Sequence, residues 1–244
     1  AYCGISNIRL WKRSFEKYHL TQTPENGFGE TPLKKYRRHI FLLHPNKVVI
    51  YDELEANEKV RWDWLLHSPV KFDINPTASI LTTVNKEKGF SSVVQLFCEQ
   101  EAAITQTDKY AAPPNHADAQ RGEDFTDPWS LTASFGPSRN NRILTIIQVE
   151  ADGRQAVQIM REGNTFRCGE WVIEAELNAK RPGRLYIRNS RNNAVFSYGD
   201  KKPEINGELY SCKEKDASVL FDCVNGEWTV QEMGDQRVQT MGKW

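Results

Sequence analysis

His39 and Asp52 are the first residues in this sequence whose types and spacing could do chemistry. A four-residue turn is predicted at 44–47, where proline presets φ and asparagine tolerates unusual backbone angles. If Leu43 pairs with Val48 across that turn, His39 lies directly opposite Asp52. Directly opposed side chains on one sheet face have Cβ atoms about 4.5–5.5 Å apart. Such a pair can share a metal ion or hydrogen-bond in a buried site, and the spacing leaves both readings open.

A metal site needs a third protein ligand, and His67 is the natural candidate. It ends an apolar strand predicted at 60–67. A tight turn just before that strand would place Asp63 opposite Asp52. His67 would then lie four residues further along, roughly 13 Å away at the rise of a strand. The residues themselves therefore predict a His–Asp pair but not a triad.

Hydrophobic alternation of period two runs through nearly the whole chain and predicts an all-β protein. The first three strands are expected at 38–43, 48–54 and 60–67, and the clearest hairpin turns at Asn225-Gly226. Well over a dozen short strands in one chain of 244 residues predict a large antiparallel β-sandwich, with 1–244 forming a single domain.

Two segments interrupt the alternation, at 18–35 and 108–127. Both are polar and carry turn-forming residues, so long loops are expected there. A loop of about 20 residues inside a compact domain is usually functional or disordered. The segment 108–127 is therefore either a lid or partner-contacting loop, or a mobile surface excursion.

Composition excludes some classes of function. The 32 basic and 32 acidic residues balance, which argues against a nucleic-acid-binding protein. No apolar run of about 18 residues predicts a membrane span, and the N-terminus does not resemble a signal peptide. The chain opens without an initiator methionine, so a fragment or a processed chain is expected. Cys212 and Cys223 could face each other across a hairpin, or both could be reduced thiols.

No motif for a nucleophilic serine, a phosphate-binding loop or a HExxH zinc site occurs in the sequence. Seven tryptophans are many for this length. Exposed aromatic rings with nearby polar groups are typical of sugar-binding surfaces, whereas alternating positions on strands favour the core for most of them.

Residues 38–54 follow the pattern R-H-x-F-L-x-x-P-x-x-V-V-x-x-D-E-L, and residues 64–68 read W-L-L-H-S. Together with W-K-R-S-F at 11–15 and W-S-L-T at 129–132, they resemble the β-sandwich part of the heparinase II/III-like polysaccharide lyases. The resemblance covers about residues 8–150, with further sandwich strands expected over 151–244.

That resemblance implies a structural zinc ion held by His39, Asp52 and His67. It also implies an N-terminal (α/α) toroid, outside this chain, and an acidic polysaccharide cleaved by β-elimination in the cleft between the two domains. Arg37 stands where some members place a catalytic histidine, and an arginine there suits a uronate carboxylate. Arg38 and Trp129 are further expected substrate contacts.

On this interpretation the protein works in the bacterial periplasm or outside the cell, and the chain alone is expected to lack lyase activity because the toroid supplies the usual base. The alternatives are a non-catalytic carbohydrate-binding sandwich and a purely structural or interaction domain.

Overall fold

The computed structural model describes residues 3–7, 33–109, 128–151, 154–189, 194–199, 204–205, 208–210, 218–224, 227–233 and 238–243. Within these ranges the regular structure is entirely β, which confirms the predicted all-β class. The strands are β1 Cys3–Asn7, β2 Leu33–Leu43, β3 Lys47–Ser68, β4 Asp73–Asn75, β5 Ile80–Asn85, β6 Phe90–Phe97, β7 Ala102–Thr107, β8 Trp129–Ala151, β9 Met160–Glu162, β10 Thr165–Cys168, β11 Trp171–Ala175, β12 Leu185–Asn189, β13 Ala194–Tyr198, β14 Glu204–Ile205, β15 Glu208–Leu209, β16 Ser218–Val224, β17 Glu227–Met233 and β18 Val238–Lys243.

Two antiparallel sheets of eight strands each contain nearly all of these elements. The first has the order β1-β2-β3-β8-β6-β5-β4, with β7 also paired to β8. The second has the order β18-β17-β16-β13-β12-β11-β10-β9. The rings of Phe41 and Phe196, one from each sheet, lie 4.4 Å apart between centroids, so the inner faces pack against each other. This is the expected sandwich of two sheets.

Side-chain alternation along β3 and β8 divides the apolar residues into two main cores. One core lies between the sheets and contains Phe41, Val49, Tyr51, Leu144, Ile146, Phe166, Ile173, Ile187 and Phe196. The other is built by residues 54–143 and contains Leu54, Trp62, Trp64, Phe72, Leu81, Val94, Leu131, Phe135 and Ile143. The first sheet is therefore buried on both faces over part of its area.

The predicted turn at 44–47 is one residue too long. Leu43 pairs with Lys47, and the turn comprises 44–46. The turn is held from the neighbouring strand and the opposite sheet, because the Asn46 side-chain amide donates to the Val149 carbonyl and the Trp171 indole to the His44 carbonyl. A shift of one residue moves every later side chain to the opposite face of the sheet. Consequently Asp52 lies opposite Arg38, not His39.

The predicted break between the second and third strands is also wrong. β3 continues from Lys47 to Ser68 along β8, with register shifts between Glu55 and Val60 and between Val60 and Trp62. Because of these irregularities, the alternation of buried and exposed side chains changes phase within one continuous strand. Asp63 therefore pairs with Ser134 of β8, and not with Asp52.

The hairpin expected at Asn225-Gly226 is supported by its strands, since Val224 pairs with Glu227 at the start of the β16–β17 ladder. Of the two expected loops, 33–35 belongs to β2, while 18–32 and 110–127 lie outside the described residues. Cys223 is a free thiol, and Cys212 lies outside the described residues. The described part of the chain contains no helix able to cross a bilayer.

Candidate functional site

His39 lies on the inner face of β2 and is fully buried between the two sheets. Its ring packs on Tyr198, with 4.4 Å between the centroids, and on Tyr51 and Phe196 at 6.2 and 6.0 Å. Among the residues that the structure describes, neither ring nitrogen has a hydrogen-bond partner. Burial, assisted by the positive charges of Arg37 and Lys35, lowers the pKa of His39 to about 3. The imidazole is therefore neutral at physiological pH.

Asp52 lies on the opposite face of the same sheet. The Arg38 guanidinium donates to both of its carboxylate oxygens, from Nε at 2.6 Å and from Nη2 at 2.9 Å. Burial raises the pKa of the Asp52 carboxyl more than the Arg38 charge lowers it. Arg38 also lies over the Tyr36 ring, 5.5 Å from its centroid. The predicted His39–Asp52 pair is wrong, and the carboxylate forms a two-point ion pair instead.

His67 is exposed near the far end of β3, where its Nε2 lies 3.4 Å from the Ser130 hydroxyl. Asp52 and His67 are 15 residues apart on one strand, which is roughly 50 Å if the strand is straight. The residues described by the structure contain no group of three His, Cys, Asp or Glu side chains that could hold a metal ion. His39, Asp52 and His67 therefore do not fit the zinc site that the resemblance implies, and zinc stays a prediction without a ligand set.

Trp129, an expected substrate contact, is half-buried at the start of β8, and the Lys71 ammonium lies 5.1 Å from its ring centroid. It packs against the second core. Trp129 and Arg38 therefore both contact other side chains of the protein, and their role as substrate contacts stays a prediction.

Arg37, by contrast, belongs to a cluster of charged side chains around Glu53. Its Nη1 donates to the Tyr198 hydroxyl at 2.7 Å, and its guanidinium lies 5.3 Å from the centroid of that ring. The Tyr198 hydroxyl donates in turn to the Glu53 carboxylate at 3.3 Å. Lys35 forms an ion pair with the same carboxylate, and Arg142 Nε lies 3.5 Å from it. We call Lys35, Arg37, Glu53, Arg142 and Tyr198 the Glu53 cluster.

The Glu53 cluster ties β2, β3 and β8 to the second sheet. Glu53 is only 1% exposed, so its charge must be compensated by these cations. Arg142, also buried, donates from Nη1 to the backbone carbonyl of Arg181 at 2.9 Å and approaches that of Asn178 at 3.3 Å. The cluster thereby reaches the 176–184 loop between β11 and β12.

The 176–184 loop packs directly onto Glu53. A Cβ atom built on Gly183 would overlap the Glu53 carboxylate, so only glycine fits at this contact. The Tyr51 hydroxyl donates to the Glu176 carbonyl at 2.8 Å, and burial raises the pKa of Tyr51 to about 12. This phenol stays protonated and fixes the start of the loop.

Sequence reasoning missed Glu53, because the four-residue turn placed its neighbour Asp52 on the inner face. With Leu43 opposite Lys47, the same alternation places Arg37, His39 and Glu53 together on the inner face. The alternation in the sequence therefore contained this information, but the wrong turn length assigned these residues to the wrong face.

Lys35 and Arg142 contact the Glu53 carboxylate, and Arg181 contacts the Glu176 carboxylate. Arg37 joins the cluster through the Tyr198 hydroxyl, and Arg184 lines the adjacent pocket. A concentration of cationic side chains that is partly screened from water favours anions. No protein-family model matches the sequence, and no curated protein matches it either. The fold defines an all-β sandwich, and the charges define its candidate site.

Proposed function

We propose that this chain is the β-sandwich domain of a heparinase II/III-like polysaccharide lyase, where it helps to form the cleft for an acidic polysaccharide. The observation that carries the proposal is the group of cationic side chains, Lys35, Arg142 and Arg181, gathered at Glu53 and the adjacent loop. The motifs at 38–54 and 64–68 support it through their resemblance to that family, and Arg37, directly before the first motif, belongs to the Glu53 cluster. The proposal includes that the protein functions in the bacterial periplasm or outside the cell.

β-Elimination at a uronic acid begins when a base removes the proton α to the carboxylate, which develops negative charge as an enolate. A cation held near that carboxylate stabilises the charge, and the glycosidic oxygen then leaves. The chemistry that this chain supplies is the cation. Tyr198 is not suited to be the base, because its phenol is 2% exposed and already accepts a hydrogen bond from Arg37. We assign the base to the α-helical toroid that the resemblance implies, so this chain binds but does not cleave.

Affinity electrophoresis tests the proposal directly. In native gels containing a polyuronate, the protein is expected to be retarded, and added salt should weaken the retardation because exposed charges are screened. A gel containing a neutral glucan of similar length is the control. Equal mobility in both gels, at low salt, would overturn the proposal.

A second candidate function, glycan binding without catalysis, is favoured by a flat polar face formed by β3, β8 and β7. Register and alternation place nine side chains in three rows across these strands: Asp63, Ser134 and Ala103; Leu65, Thr132 and Thr105; His67, Ser130 and Thr107. Five of the nine carry hydroxyl groups suited to hydrogen-bonding sugars. If this face binds glycans, the double variant Thr105→Val, Thr132→Val should no longer bind neutral glycans. If the site is elsewhere, the double variant should bind a polyuronate as the wild type does.

A further inference from the structure

The 176–184 loop encloses one side of a surface pocket next to the Glu53 cluster. The pocket has a volume of about 270 Å³ and is lined by Glu176, Arg181, Pro182, Gly183 and Arg184. Its volume lies just below the range of about 300–1,000 Å³ typical of small-molecule sites. It is large enough for one small polar group of a ligand but not for a long segment of it.

The loop is fixed before any ligand arrives. The backbone N–H of Asn178 donates to the Glu176 carboxylate at 2.9 Å. The side-chain oxygen of Asn178 accepts from the backbone N–H of Lys180 at 2.9 Å. Arg142 binds the loop from below through the Arg181 carbonyl. A loop held in this way pays little conformational entropy when a ligand binds.

Two arginines of this loop, Arg181 and Arg184, line the pocket. Arg181 is 67% exposed and has one carboxylate partner, Glu176, at 3.6 Å. That carboxylate is already bound by Asn164 at 3.2 Å and by the Asn178 amide. Within the part of the chain that the structure describes, the Arg184 guanidinium forms no ion pair. Both guanidinium groups can donate two parallel hydrogen bonds to an oxyanion.

Gly183 brings the pocket close to the further cations beneath it. Because it has no side chain, the loop lies directly on the Glu53 carboxylate, whose partners are Lys35 and Arg142.

We infer that the Arg181–Arg184 pocket binds one oxyanion group of an acidic sugar, either a carboxylate or a sulfate ester. This inference rests on the proposed function, since it names the part of the polysaccharide that the sandwich recognises. Arg181 and Arg184 grip the oxyanion, Glu176 orients Arg181, and Gly183 admits the group close to the Glu53 cluster. The pocket thus sets the preference for acidic over neutral polymers.

Calorimetric titration of Arg181→Gln, Arg184→Gln and the double variant tests the inference. The probes are an unsulfated oligouronate, a sulfated oligosaccharide of neutral sugars, and a neutral oligosaccharide of equal length. The matched control is Arg61→Gln, because Arg61 is 71% exposed and paired with one carboxylate, Asp63, at 3.0 Å. Each pocket variant should weaken binding of one acidic probe at least about tenfold, as expected for loss of a charge-assisted hydrogen bond. The acidic probe that responds identifies carboxylate or sulfate as the ligand.

Unchanged binding of both acidic probes by the double variant, with wild-type binding intact, would overturn the pocket while leaving the proposed function standing. Absence of binding by the wild-type chain would overturn the proposed function and this inference together. An equal loss in Arg61→Gln would show a general charge effect and would also overturn the pocket. Thermal melts of all variants check that they fold, and the exposed, singly paired Arg181 and Arg61 should change stability little when replaced.

Discussion

Arg38 and Asp52 lie directly opposite each other on β2 and β3, and two hydrogen bonds of 2.6 and 2.9 Å join the guanidinium to the carboxylate. Asp52 is 1% exposed, so the pair fixes a charge inside the first sheet. The register that places Asp52 opposite Arg38 puts Tyr51 and Glu53 on the other face of β3. It therefore determines the position of the Glu53 cluster.

Removing the Arg38 guanidinium should leave the Asp52 charge buried without compensation. Arg38→Met is expected to lower the free energy of unfolding by about 3 kcal/mol, the lower end of the cost of breaking a buried ion pair. Urea denaturation followed by tryptophan fluorescence measures it. Arg61→Met, which breaks the exposed Arg61–Asp63 pair, is the control and should change stability by less than about 1 kcal/mol. Equal effects of the two substitutions would contradict the account.

His39 should make the protein less stable in mild acid. The unfolded chain takes up a proton on His39 near pH 6.5, whereas the folded protein leaves it neutral down to about pH 3. Stability from this residue is complete above pH 6.5 and is lost as the pH falls from 6.5 towards 3, because only the unfolded state binds the proton. The loss between pH 6.5 and 5 is about 2 kcal/mol.

His39→Phe removes that proton uptake, so the variant should show a flatter dependence of unfolding free energy on pH than the wild type. Urea denaturation at a series of pH values measures the difference between the two curves, in which the contributions of all other groups cancel to first order. Parallel curves would mean that His39 titrates normally and is not buried as described.

Two buried threonines differ in whether the hydroxyl has a partner. Thr145 is fully buried, and its hydroxyl makes no hydrogen bond within the described part of the chain, whereas the Thr83 and Ser92 hydroxyl oxygens lie 2.6 Å apart. Thr145→Val is expected to raise the free energy of unfolding by about 1 kcal/mol, and Thr83→Val to lower it by about the same amount. Thermal unfolding compares them, and a loss of stability in Thr145→Val would contradict the assignment.

Gly183 should tolerate no side chain. Gly183→Ala is expected to destabilise the fold by about 1–3 kcal/mol, because the new methyl group overlaps the Glu53 carboxylate. Gly136→Ala is the matched control, since a Cβ there meets nothing within 4 Å, and it should be neutral or slightly stabilising. A neutral Gly183→Ala would show that the loop does not lie on Glu53.

Period-two alternation was sufficient to predict the fold class, because strands with one buried face repeat the same pattern wherever they occur. It also predicted the strands either side of Asn225-Gly226. What it could not supply was register. The turn after Leu43 is one residue shorter than proline and asparagine suggested, and contacts from Val149 and Trp171, distant in sequence, hold it there. Local signals do not encode such contacts.

The identification of the candidate site depended on the one-residue difference in the length of the turn after Leu43. Because Asp52 was placed on the inner face, Glu53 was missed, and because a tight turn was predicted just before residue 60, the single long strand β3 was divided in two. Arg37 was predicted from resemblance and lies beside Tyr198 in the Glu53 cluster, although its role as a substrate contact stays a prediction. The contacts of Gly183 with Glu53 and of Arg142 with the loop carried no sequence signal, because they arise only when the 176–184 loop packs on the first sheet.

The most direct test of the central claim is a calorimetric titration of the wild-type chain with an oligouronate and with the same oligosaccharide after its carboxylates have been reduced to alcohols. The account predicts saturable binding of the oligouronate, which salt should weaken. Binding should be lost after reduction, because the reduced ligand carries no carboxylate for the cationic side chains of the candidate site to bind. Equal binding of both ligands, or binding of neither, would contradict it.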